Sequence, residues 1–213
     1  MKPVRNDKES IRWVYRISRN IYYYSLKIVF RLNFTGLENI PLKGGAIIAP
    51  NHASYADPPC VGSCIPREVT FFAKKELFSI PVIKTLITCY NSIPVDRGGY
   101  SRGILKEIIH RLKNGWLVLI FPEGTRSKDG NFREPKSGAG MAAVMADVPV
   151  IPCWVEGSFR AKPFLSKITV HFLPPFKPSE IEAKTRKEHY LLVSKRIMCD
   201  INKLCKTHMA VRN

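Results

Sequence analysis

Two side chains with acid–base chemistry stand five positions apart, His52 and Asp57, inside the stretch Ala-Ile-Ile-Ala-Pro-Asn-His-Ala-Ser-Tyr-Ala-Asp-Pro-Pro that runs from Ala46 to Pro59. On one continuous helix they would point about 140° apart, whereas a loop can bring them together. An imidazole held at one nitrogen by a carboxylate is fixed in one tautomer and made more basic at the other. That is what a general base for a hydroxyl requires. The same residues also read without chemistry, as a loop histidine and an aspartate that starts a helix ahead of Pro58. A lone His-x4-Asp leaves both readings open.

Further chemistry-bearing residues follow apolar runs. In Ile93-Pro94-Val95-Asp96-Arg97-Gly98-Gly99, an arginine stands beside two glycines that clear space for a ligand. Arg97 reads equally well as a phosphate clamp or as a local ion-pair partner. Leu117 to Phe121 opens into Pro122-Glu123-Gly124-Thr125-Arg126-Ser127, a carboxylate, a glycine, two hydroxyls and a guanidinium within six residues. Arg126 suits bidentate pairing with phosphate oxygens, and Glu123 suits substrate hydroxyls or the ordering of another basic group. An internal Glu-to-Arg pair in a polar turn is the plainer reading. Gly138-Ala139-Gly140 begins a dinucleotide-like fingerprint, but the long polar loop before it is the wrong context. There is no Gly-x-Ser-x-Gly elbow and no phosphate-binding Gly-x4-Gly-Lys loop, so Ser54 is not expected to act as a nucleophile.

The elements that must position these residues alternate between short apolar runs and longer helical periods, the pattern of an α/β domain. The spacing predicts strands near 46–49, 69–73, 92–96, 116–121, 149–155 and 167–173. Helices are predicted near 58–64, 76–90, 101–114 and 137–146, with a final one from about 179 to 206. The expected fold is a single α/β domain with a mixed central sheet flanked by helices, preceded by a basic amphipathic helix. In that first segment Arg12, Arg16, Arg19, Lys27 and Arg31 fall opposite Val14, Ile17, Ile21, Tyr24, Ile28 and Leu32. Such a helix either lies on an anionic membrane surface or packs its stripe on the domain's own core. No run of about 20 apolar residues suggests a membrane span. Residues 1–35 are therefore read as a membrane-association segment and 36–213 as the α/β domain.

Thirty-four Lys and Arg against seventeen Asp and Glu leave a net charge of +17, which points to an anionic partner: nucleic acid, lipid headgroups or a phosphorylated substrate. No helix-turn-helix, RNA-recognition or zinc-finger pattern supports nucleic acid as that partner. The six cysteines form no Cys-x2-Cys pair and no secretory signal precedes them, so free thiols in a reducing cytoplasm are expected. Cys205 and His208 have the spacing of metal ligands, but no second pair accompanies them in sequence, and no metal site is expected.

Taken together, Asn51-His52-x4-Asp57, the Ile93 to Arg97 block, Phe121 to Ser127 and Val150-Ile151-Pro152 resemble, in order, the four blocks of the glycerolipid acyltransferase family, over about residues 36 to 175. The stretch Phe72-Ala73-Lys74-Lys75-Glu76-Leu77-Phe78 is also similar to the family's segment between the first two blocks. The resemblance implies transfer of a fatty acyl group from acyl-CoA or acyl carrier protein to the sn-2 hydroxyl of lysophosphatidic acid, giving phosphatidic acid. The neighbouring reactions at sn-1 of glycerol 3-phosphate, or on another lysophospholipid, use the same blocks. It further implies His52 as general base, Asp57 as its orienting partner, and Arg97, Glu123, Gly124 and Arg126, with Lys74, as the glycerol-phosphate site. Val150 to Pro152 would line the acyl-donor side. No cofactor is implied, and the expected location is the cytoplasmic face of a membrane. The sequence departs from the family at Asn91, where a glycine usually opens the second block.

Overall fold

In the strand Ala46–Pro50, Ile47 and Ala49 enter one apolar cluster while Ala46 and Ile48 enter another. A strand apolar on both sides needs cover on both faces. The computed structural model, which describes residues 9–79, 92–95 and 102–212, supplies it. Eight strands form: β1 (Asn33–Thr35), β2 (Ala46–Pro50), β3 (Val69–Thr70), β4 (Phe72–Lys74), β5 (Ile93–Val95), β6 (Leu117–Leu119), β7 (Val150–Glu156) and β8 (Thr169–Phe172). Six of them make one sheet in the order β1-β8-β7-β2-β6-β3, parallel except for the antiparallel pair β7–β8. A separate parallel pair joins β4 to β5.

Five α-helices are described: α1 (Glu9–Phe30), α2 (Asp57–Cys64), α3 (Arg102–Lys113), α4 (Gly138–Ala146) and α5 (Arg186–Arg212). On one face of the sheet α3, α4 and α5 close over Ile47, Val118, Val150 and Trp154. On the other, α1 and α2 cover Ile48, Leu119, Ile151 and Val155. Gly140 permits the closest helix approach, because a Cβ there would fall 2.0 Å from the Tyr190 carbonyl oxygen of α5. The glycine pattern around 138–140 thus serves helix packing.

Three sequence expectations need correction. The run at 69–73 is two strands in two sheets, because β4 leaves the main sheet to pair with β5. The final helix begins at Arg186, with only a 3-10 turn at Pro178–Glu180 before it. Its start is set by Thr185, whose hydroxyl accepts the Glu188 N–H at 3.2 Å. The edge strand β1 was not among the predicted strands; three residues are too few for a period. Most of the helix expected at 76–90 lies outside the described residues.

The N-terminal helix docks through a face the hydrophobic wheel did not single out. Tyr15 is buried, with Tyr23, Leu26 and Phe30 packed on the core, and Arg19 donates to the Ile65 carbonyl. The stripe Ile17, Ile21, Tyr24 and Ile28 stays exposed, between 46% and 69%. Among the described residues no helix is long and apolar enough to cross a membrane.

Candidate active site

Pro50 ends β2, and the loop that follows is closed by one carboxylate. Asp57, fully buried at the first position of α2, does not cap its own helix. Its Oδ2 accepts from the backbone N–H of Ala53 and Ser54, both at 2.7 Å, and lies 2.9 Å from His52 Nδ1. With two N–H groups already directed at that oxygen, the carboxylate cannot rotate away, and the imidazole is held with Nδ1–H as donor. Nε2 is then the basic nitrogen, and among the described residues nothing bonds to it. The ring stacks on Phe121, centroids 3.8 Å apart, with 16% of the side chain exposed.

The loop is anchored from outside as well. Asn51 reaches across to β7, its Oδ1 accepting from the Val155 N–H at 2.7 Å and its Nδ2 donating to the Val155 carbonyl at 3.3 Å. Glu123, 2% exposed, accepts the His52 N–H on Oε1 at 2.7 Å and the Arg133 N–H on Oε2 at 3.0 Å. Burial pushes its carboxyl pKa up, against the opposing pull of those two N–H groups. The Ser127 N–H in turn donates to the His52 carbonyl at 2.7 Å. Glu123 thus ties the 121–127 turn to the histidine, and its two oxygens are turned toward backbone.

Beside this loop lies a cleft of about 410 Å³ lined by Ser54, Tyr55, Arg126, Lys128, Phe159 and Arg160, among others. The Arg126 guanidinium sits 3.4 Å above the Tyr55 ring centroid, a cation–π contact that fixes its plane. Among the described residues three cations and no carboxylate line this space, so it suits an anion. Gly124 has φ 69°, and a Cβ there would crowd the Lys136 side chain at 3.0 Å.

His52, Asp57, Glu123, Gly124 and Arg126 are therefore gathered at the C-terminal ends of neighbouring strands β2 and β6. Arg97 lies outside the described residues. Lys74 ends β4, paired with Val95 of the block that precedes Arg97. Val150 to Pro152 belongs to β7, next to β2 on its other side. Lys128 and Arg160 were not anticipated. Arg160 sits in the β7–β8 loop with φ 52°, far from any motif, and only the fold brings it to the cleft. The start of α2 supplies little as an oxyanion donor: Pro58 and Pro59 have no N–H, and the Cys60 N–H is spent on the Ala56 carbonyl.

A strand-end histidine–aspartate pair beside a cationic cleft, on a mostly parallel sheet, defines a class, and sequence comparison agrees. The family model described as Acyltransferase matches residues 31–156, and the chain belongs to that family. Among its relatives, the 1-acyl-sn-glycerol-3-phosphate acyltransferase of Bacillus subtilis is 33% identical over 131 residues, 61% of this chain and 65% of that one. The enzyme of the same name from Limnanthes douglasii is 34% identical over 149 residues, 65% of this chain and 52% of its own. The chain thus spans between half and two thirds of the length of these two relatives. The crystal structure of the 1-acyl-sn-glycerophosphate acyltransferase PlsC from Thermotoga maritima superposes with a TM-score of 0.69 at 26% identity, covering 91% of this chain and 79% of that one.

Proposed function

We propose that this chain transfers a fatty acyl group from a thioester, acyl-CoA or acyl carrier protein, to the sn-2 hydroxyl of 1-acyl-sn-glycerol 3-phosphate, forming phosphatidic acid. The observation that carries the reading is the locked orientation of His52 by the triply bonded Asp57 Oδ2, beside a cleft whose side-chain charges are all positive. The acceptor hydroxyl gives its proton to His52 Nε2 as its oxygen bonds the thioester carbonyl carbon. The tetrahedral oxyanion then collapses, the carbon–sulfur bond breaks, and the thiolate takes the proton back from His52. No acyl-enzyme is required, because the substrate supplies the nucleophile.

Arg126 grips the acceptor phosphate, joined by Arg97 and by Lys74 of β4; Gly124 leaves the backbone open to it. Glu123 serves the same site by holding the His52 loop. The backbone N–H groups of Thr125 and Arg126 have no acceptor among the described residues, and they are the available donors for the oxyanion.

The lipid substrate has to be reached at a membrane, and α1 supplies the means. Ile17, Ile21, Tyr24 and Ile28 project outward with Trp13, flanked by the exposed cations Arg16, Lys27 and Arg31. Exposed Phe164 and Leu165 extend the patch, since the Phe164 N–H donates to the Val29 carbonyl at the helix end. An apolar stripe bordered by cations fits an anionic bilayer surface of the cytoplasmic leaflet.

Incubating the purified chain with radiolabelled acyl-CoA or acyl carrier protein, and a panel of glycerol 3-phosphate and lysophospholipid acceptors, tests the activity. Labelled phosphatidic acid is the expected product; acylation of glycerol 3-phosphate alone would move the assignment to the sn-1 reaction, and no acyl product would end it. Changing Ile17, Ile21 and Ile28 together to serine should weaken sedimentation with anionic vesicles at least tenfold, and unchanged sedimentation would place the membrane contact elsewhere.

A further inference from the structure

Cys205 and His208 lie three residues apart on α5, one helical turn, with no matching pair nearby in sequence. The fold brings one to them. Glu156 at the end of β7 and His171 in β8 stand across the antiparallel pair β7–β8, and one ligand atom each from Glu156, His171 and His208 lies within 4.8 Å of the other two. We propose that Glu156, His171 and His208 hold a divalent transition-metal ion, and that this ion fastens the end of α5 to the sheet; Cys205 Sγ does not belong to that group.

The hydrogen-bond inventory of the cluster supports a shared cation. His171 Nδ1 lies 2.9 Å from Thr35 Oγ1 on β1 and its Nε2 lies 3.1 Å from Glu156 Oε2; with Nδ1–H donating to Thr35, Nε2 is the nitrogen that a cation shared with Glu156 would use. The Thr35 contact is the outer support that a metal-bound imidazole usually has. His208 Nδ1 is buried with no hydrogen-bond partner, which is costly for an imidazole nitrogen and is relieved by coordination. His171 stacks on Trp154 at 4.9 Å, and His208 meets both rings edge-on at 5.1 and 5.5 Å, so the two imidazoles are held side by side by aromatic packing.

Two imidazoles and a carboxylate are a donor set of zinc or cobalt rather than of calcium or magnesium. Metal–ligand bonds of about 2.0–2.3 Å need ligand atoms roughly 3.3–3.8 Å apart in a tetrahedron, so the widest gap in the cluster has to close by about an ångström. His208 stands four residues from the end of the helix and can make that movement.

The test uses the full chain stripped with a chelator and titrated with Co2+ and with Zn2+. One equivalent of Co2+ should give the visible absorption of a tetrahedral site. Zn2+ should raise the unfolding midpoint, and His208→Ala should weaken binding at least tenfold while His110→Ala, on α3, leaves it unchanged. If His208→Ala does not fold by circular dichroism, Glu156→Gln takes its place with the same expected loss. Equal Co2+ binding by wild type and the ligand variant, or no stoichiometric binding at all, would overturn the proposal.

Discussion

Two histidine–carboxylate pairs sit on this sheet at almost the same separation, His52 with Asp57 at 2.9 Å and His171 with Glu156 at 3.1 Å. Their surroundings differ in the respect that matters for proton transfer. Asp57 grips Nδ1 of His52 and is itself held by two backbone N–H groups, which leaves Nε2 uncommitted beside a cationic cleft. His171 has partners at both nitrogens, Thr35 and Glu156, and its ring is 4.9 Å from the Trp154 indole. A short imidazole–carboxylate distance is therefore no mark of a general base. What marks one is a nitrogen left over, a carboxylate that cannot turn away, and charge of the right sign where the substrate would bind.

The largest effect expected from this contrast is at His52. His52→Ala should lower kcat by about 10²–10⁴-fold, the usual worth of a positioned general base, with the unfolding midpoint little changed. His171→Ala should do the reverse. Its loss takes a buried hydrogen-bond partner from Thr35 and one contact from Glu156, at a cost of about 1–3 kcal/mol in urea denaturation, while kcat per folded molecule falls less than tenfold. Similar kinetic losses in both variants would erase the distinction drawn between the pairs.

Arg126 comes next. If it holds the acceptor phosphate as proposed, replacing it with alanine removes that charged contact but leaves His52 in place, so KM for the phosphorylated acceptor should rise about tenfold to a hundredfold with kcat held within a few-fold. Steady-state kinetics on varied acceptor check this. A fall in kcat at unchanged KM would instead mean that Arg126 acts only in the transition state.

How much of this could be read in the chain itself differs between the two pairs for a physical reason. His52 and Asp57 lie five residues apart, and the strand, the Pro50 stop and the Pro58-Pro59 helix start between and around them are local signals. The sheet was legible for the same reason, since runs such as Ile47-Ile48 and Val118-Leu119 are buried on both sides and carry β propensity. The cluster of Glu156, His171 and His208 is scattered over 52 positions, and only the β7–β8 pairing and the return of α5 assemble it. The orientation of α1 escaped the helical wheel because that helix has two apolar faces, one on Tyr15, Tyr23 and Leu26 and one on Ile17, Ile21 and Ile28. Periodicity detects a stripe but not what covers it. Glu123 stood out in the sequence by its place in the turn, whereas its bonds to the His52 and Arg133 N–H groups needed the folded loop.

The smallest effect expected concerns that carboxylate. In Glu123→Gln the amide can accept one of the two backbone N–H groups, but its own NH2 faces the other, leaving a buried donor unsatisfied at a cost of about 1–3 kcal/mol. Glutamine also spares the fold a buried charge, so the net loss at neutral pH should lie near the bottom of that range. The balance depends on pH with a definite sign. Burial raises the folded-state pKa of Glu123, so the native chain binds this proton more tightly than the unfolded chain does. The resulting stabilisation is fully present below the unfolded carboxyl value of about 4.3 and is lost as pH rises through the higher folded value. Glutamine does not titrate here, so the stability advantage of wild type over the variant should be larger at pH 4 than at pH 7. Urea denaturation of both proteins at the two pH values measures it. An advantage that grows with pH would mean that the two N–H groups outweigh burial and that the turn under His52 is built around a charged carboxylate.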